Sequence, residues 1–154
     1  MLFRSASYVK GVGNVSDLGV GEHAWGGGLD VAYFPSLFWG FRFQGSAINT
    51  ASSDQTAGIV SLNAVVRYPL DLVAPNFHMA PYGFAGIGGL LGGLDGNDQS
   101  GNVRTESRVL GNFGGGLEYR FTPHVGIFTE AAFDLVDGPK NNAVQINWGA
   151  RFAF

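Results

Sequence analysis

The 154-residue sequence contains no cysteine, which removes a disulfide framework, a zinc–thiolate site and a cysteine nucleophile together. Lysine is nearly as scarce, with only Lys10 and Lys140. Nine Lys and Arg against twelve Asp and Glu give a net charge of −3, the wrong sign for a nucleic-acid footprint. Charged residues make up only 14% of the chain, whereas a water-facing surface normally carries roughly 25–35%. An apolar share of 45% with so small a net charge also excludes intrinsic disorder. Long apolar runs are missing too. A helical membrane span needs about 20 consecutive apolar residues, and glycines, prolines and charges interrupt every stretch that approaches this length. Residues 1–20 lack the basic end and apolar run of an export signal. The opening Met1-Leu2-Phe3-Arg4-Ser5 resembles the translated end of a sequencing adapter. Residues 1–5 are therefore expected to be artificial, with the natural N-terminus and any export signal lying upstream.

What the chain has in quantity is glycine (25), phenylalanine (13) and period-two alternation. From Val144 the even positions are Val144, Ile146, Trp148, Ala150, Phe152 and Phe154, set against Gln145, Asn147, Gly149, Arg151 and Ala153. Such a strand has one apolar and one small or polar face. Val125 to Leu135 alternates with His124, Gly126, Phe128, Glu130, Ala132 and Asp134 in the same way. Phe113, Gly115, Leu117, Tyr119 and Phe121 alternate with Asn112, Gly114, Gly116, Glu118 and Arg120. Residues 23–34, 37–47 and 58–68 follow the same rule, with Asp30, Arg42 and Arg67 on their polar faces. Residues 80–92 are so glycine-rich that their faces are ambiguous, and residues 5–13 complete a set of eight expected strands.

The connections alternate in character. Tight proline turns at Tyr33–Ser36 and Phe121–His124, with an apolar link over Pro69–Met79, face one end. Longer polar segments, Asn14–Glu22, Asn49–Thr56, Leu94–Thr105 and Asp137–Asn142, face the other. An antiparallel up-and-down barrel with short turns at one rim and long loops at the other has this layout. The chain is thus expected to be a single all-β domain over 1–154.

Alternation alone does not say which face is inside. Here the non-apolar face is mostly Gly, Ala, Ser and Asn, too small and too weakly charged for a water-facing exterior. The apolar face carries aromatics at strand ends, with Tyr33, Trp39, Tyr68, Tyr82, Phe121 and Phe154 as the expected interfacial girdles. An eight-stranded interior is just filled by side chains, so large aromatics are expected outside and lipid against the wall.

The stretches Ala80-Pro81-Tyr82-Gly83-Phe84-Ala85-Gly86-Ile87-Gly88, Gly114-Gly115-Gly116-Leu117-Glu118-Tyr119-Arg120-Phe121 and Gly149-Ala150-Arg151-Phe152-Ala153-Phe154 resemble the bacterial outer-membrane β-barrel domain family. Its members include small barrels similar to the transmembrane part of outer membrane protein A. The resemblance covers about residues 23–154 and carries no catalytic motif. It implies an eight-stranded transmembrane barrel in a Gram-negative outer membrane, with the lipids of that membrane and its assembly machinery as partners. Phe154 resembles the terminal aromatic that this machinery reads as an assembly signal. The N-terminus departs from the pattern, since neither a signal sequence nor a full first strand is evident.

The expected functional residues are the lumen charges Asp30, Arg42, Arg67, Glu118, Arg120, Glu130, Asp134 and Arg151, four arginines and four acids. An isolated buried charge costs several kcal/mol, so these must pair with one another. They form either a charged pore constriction or a salt-bridged plug, and the equal count with a filled lumen favours the plug. His23, His78 and His124 have no second histidine at metal-ligand spacing. No serine or threonine stands out as a nucleophile beside them for lipid A hydrolysis, the enzymatic alternative. Asp95–Gly101 has the composition of a calcium loop without its Gly and Glu positions. The glycine pairs are not followed by a helix that could receive a phosphate. No cofactor and no metal are expected. The sequence reads as a non-enzymatic membrane barrel with a structural or surface-interaction role, any extracellular ligand being bound by the polar loops. A small-solute channel is the alternative, followed by a lipid A-modifying enzyme and a soluble lipocalin-like binder.

Overall fold

The computed structural model describes residues 2–11, 23–50, 56–91, 107–136 and 142–153. It contains β1 (Leu2–Gly11), β2 (His23–Tyr33), β3 (Trp39–Thr50), β4 (Thr56–Arg67), β5 (Met79–Leu91), β6 (Ser107–Arg120), β7 (Val125–Val136) and β8 (Ala143–Phe152). Each strand pairs antiparallel with its chain neighbours, and β1 pairs with β8, so the sheet closes on itself. The expected polar loops fall largely outside the described residues, as do the calcium-like segment Asp95–Gly101 and Phe154.

Strand ends differ from the sequence expectation where pairing, not alternation, sets the boundary. β6 begins at Ser107 rather than near residue 112, because Ser107–Gly111 continue the ladder opposite Ile87–Leu91 of β5. β3 runs on to Thr50 for the same reason, paired with β2 as far as Ala24. At the opposite rim Phe121 N and Thr122 N donate to Val125 O, and Thr122 Oγ1 accepts from His124 N and Val125 N. These bonds close the β6–β7 turn locally. The β4–β5 link contains one 3-10 turn, Leu70–Leu72.

The two faces of the wall are chemically opposite. Leu29, Phe43, Leu62, Ile87, Ile127 and Ile146 point out and are exposed, Ile87 at 70%. Asp30, Arg42, Asn63, Asn112, Glu118 and Asn147 point in and are buried, Asn63 completely. This inverts the soluble arrangement, in which charged side chains are almost never fully buried and large apolar patches are few.

Glycine follows the same division for a steric reason. On inward positions a Cβ would strike the next strand: at Gly86 it would lie 2.1 Å from Leu62 O, and at Gly114 2.2 Å from Ala131 O. At outward Gly45 and Gly111 a Cβ would meet nothing within 4 Å. Strong curvature crowds the concave side of a narrow barrel, and glycine is the residue that permits it. The inward glycines also receive aromatic rings. Tyr82 lies opposite Gly116 and Phe84 opposite Gly114, and a Cβ on either glycine would come within 2.8 Å of a ring carbon. Phe128 stands opposite Gly149 in the β7–β8 ladder.

Candidate functional site

The lumen is layered along its axis. At the loop end Ile48, Leu90 and Leu110 form a buried apolar layer, with Leu110 and Ile48 1% exposed. Below it lies a polar middle, and nearest the short turns arginines are interleaved with aromatic rings.

The centre of the polar middle is Glu130, carried on the inward face of β7. Its Oε2 accepts from Arg42 Nη1 at 2.6 Å and from Tyr82 OH at 2.7 Å. Its Oε1 accepts from Asn147 Nδ2 at 3.0 Å, and Asn147 Oδ1 accepts in turn from Gln145 Nε2 at 2.8 Å. Four strands, β3, β5, β7 and β8, are thereby tied to one carboxylate. The second centre is Glu118 of β6, which accepts from Arg120 Nε at 2.9 Å and from Arg151 Nη1 at 2.5 Å.

The guanidinium planes rest on rings. Arg42 lies 4.2 Å from the Phe84 centroid, and Arg67 lies 4.0 Å from that of Phe34. Arg151 sits between Tyr82, at 4.6 Å, and Phe128, at 4.4 Å. Such contacts are worth about 2 kcal/mol when desolvated, and they hold long side chains in one orientation.

All eight lumen charges singled out from the sequence lie on inward positions, but their pairing is selective. Arg42, Glu130, Glu118, Arg120 and Arg151 are brought into ion pairs. Among the described residues Asp30 and Asp134 make no ion pair, and both Asp30 oxygens and Asp134 Oδ2 lack a hydrogen-bond partner. Arg67 pairs with no carboxylate among them either; its Nε donates to Leu37 O at 3.1 Å. The expectation that every arginine finds an acid is thus corrected at Arg67, which a ring and a carbonyl accommodate instead.

Tyr82 requires a second correction. Expected in an exterior girdle, it is 6% exposed and bonded to Glu130 inside the lumen. Large aromatics do fit an interior this narrow, because the glycines opposite leave the volume of a side chain free. Tyr33, Trp39, Tyr68 and Phe121 do lie exposed near the short-turn rim. Phe84, Phe128, Asn147 and Gln145 complete the site. Their signal in the sequence was inward parity beside glycine or an acid, which becomes readable only once the register is known.

The space left between these groups is small. One cavity, of about 10 Å³, is lined by Arg42, Arg67, Arg151, Tyr82, Phe34, Ala32 and Val65. That is about the size needed for one water molecule. Among the described residues no group of three or more His, Cys, Asp and Glu is placed to hold a metal ion.

The antiparallel closed wall is similar to that of several solved structures. Neisserial surface protein A matches with a TM-score of 0.74 and 14% identity, covering 99% of this chain and 96% of that one. The N-terminal β-barrel domain of Pseudomonas aeruginosa OprF matches at 0.63 and 16% identity, over 98% and 96% of the two chains. The fold is that of the small outer-membrane β-barrels. Ail, the attachment invasion locus protein of Yersinia pestis, shares this outer-membrane-barrel fold at a TM-score of 0.61 and 17% identity, covering 99% and 97%. No protein-family model and no curated protein matches the sequence.

Proposed function

We propose that this chain is a non-enzymatic, eight-stranded β-barrel integral to a bacterial outer membrane, sealed by its lumen and acting through its polar loops in a structural or surface-interaction role. The observation that carries the proposal is the inverted wall: exposed Leu, Ile, Val and aromatics outside, and buried, hydrogen-bonded charges inside. Water is a poor solvent for the first and is not needed by the second. The two carboxylates at the lumen's centres are held by guanidiniums and amides, which favours a plug over a pore constriction. The shared fold supports the outer-membrane setting. One of the proteins with this fold, Ail, binds a heparin analogue, sucrose octasulfate. That is a precedent for recognition by such a barrel. In this setting the partners of the chain are outer-membrane lipids and the assembly machinery, which would read Phe154.

The test is conductance. The purified protein, reconstituted in a planar lipid bilayer, is expected to show no steady current. Long-lived, ion-selective openings of the wild type would replace the plug with a small-solute channel. Stability and monodispersity in detergent-free buffer would refute the membrane setting itself.

A further inference from the structure

The lower lumen is rich in arginine. Towards the short-turn rim it holds Arg42, Arg67, Arg120 and Arg151, against Glu118 and Glu130 as their ion-pair or nearest carboxylates. Asp30 stands opposite Gln44, one inward step above the Ala32–Arg42 pair, and supplies a third acid. Among the described residues the lumen wall there sets four guanidiniums against three carboxylates, and Asp71 of the β4–β5 link also acts electrostatically on Arg67. The fourth acid, Asp134, lies far up β7, opposite Ala143 at the loop end.

Three of these arginines converge on one place. The 10 Å³ cavity has three guanidiniums in its lining and no carboxylate. Arg42 is 2% exposed, yet its Nε and Nη2 have no acceptor. A buried donor without an acceptor costs about 1–3 kcal/mol, and more when charged. The rings beneath the buried Arg42 and Arg151 fix those two guanidiniums beside the space before anything enters it.

We propose that this cavity is a binding site for one small monovalent anion of the halide class, held between Arg42, Arg67 and Arg151. A water molecule in the same place satisfies donors but brings no negative charge to the three guanidiniums. An anion is acceptor only, so it does both. Arg67 is the gate-side wall: it is half-buried, at the end of β4, and its long side chain can shift outward to admit an ion larger than water. The site rests on lumen geometry and does not depend on any surface role of the loops.

Two measurements on the whole chain, refolded in detergent micelles, decide it. The melting midpoint in sodium chloride is compared with that in sodium gluconate at equal ionic strength, so that screening cancels. A saturable rise with chloride is expected. It should be lost in Arg67→Gln and kept in Arg67→Lys, which separates anion binding from a general loss of stability. In crystals grown with sodium bromide, one anomalous peak is expected between Arg42, Arg67 and Arg151. Equal midpoints in the two salts overturn the proposal, as does a bromide map with no peak in the lumen and water alone in the cavity.

Discussion

Replacing Glu130 with alanine should be among the most damaging single changes in the wall. The substitution removes the acceptor of Arg42 Nη1, Tyr82 OH and Asn147 Nδ2 at once. Arg42 then stays 2% exposed with no carboxylate among its hydrogen-bond partners. Breaking a buried pair from one side typically costs about 3–5 kcal/mol. The neutral donors, worth about 1–3 kcal/mol each when orphaned, share part of that penalty and do not add to it in full. The expected loss is therefore about 3–5 kcal/mol. Removing both charges together, as Arg42→Met with Glu130→Leu, should recover most of it, because no buried ion is left alone. Reversing the pair, as Arg42→Glu with Glu130→Arg, should recover part. Denaturant unfolding in lipid vesicles reads these differences through tryptophan fluorescence, since Trp25, Trp39 and Trp148 are all exposed on the outer wall. A loss below about 1 kcal/mol for Glu130→Ala, the worth of an exposed surface pair, would refute a desolvated network at this position.

Ile146→Arg places a charge on the outward face of β8 and should cost about 2–4 kcal/mol in vesicles if that position is at the bilayer midplane; stability equal to wild type would reverse the inside and outside of the wall. Gly116→Ala puts a Cβ 2.5 Å from Thr129 O and 2.7 Å from both Tyr82 Cζ and Glu130 Cβ, and should cost about 1–3 kcal/mol by overpacking, whereas Gly111→Ala, with open space around it, should be close to neutral in the same unfolding assay. Deleting Phe154 should slow insertion in cells while leaving refolding in detergent intact; insertion at the wild-type rate would remove the assembly role.

The wall was legible in the sequence because lipid and lumen make opposite demands on alternate residues, and Val125–Leu135 or Val144–Phe152 carry both demands plainly. β5 was not, and the reason is physical. Its inward positions 86 and 88 are glycine because the backbone of β4 leaves no room for a Cβ, so the face that defines the strand's parity has no side chains there to reveal it. That silence misplaced Tyr82. The identity of the lumen charges could be read from parity, but their partners could not. Arg42 and Glu130 are 88 residues apart, and only closure of the sheet brings β3 across from β7. Arg67 shows a different limit: a ring, which no charge count includes, takes the place of a counter-ion.

The aromatic rings seated over glycines bear on how a strand finds its place. A slip of one residue between β5 and β6 would turn apolar side chains inward and is excluded by the hydrophobic pattern itself. A slip of two keeps every outward residue outward. Lipid, which meets apolar side chains in either case, has almost no means of telling the two arrangements apart. The interior does. Moved by two positions, Tyr82 would face Gly114 but Phe84 would face Asn112; moved the other way, Phe84 would face Gly116 and Tyr82 would face Glu118. Only the observed alignment gives both rings an empty neighbour. The tilt of the strands, and with it the girth of the closed wall, is thus chosen by two missing side chains.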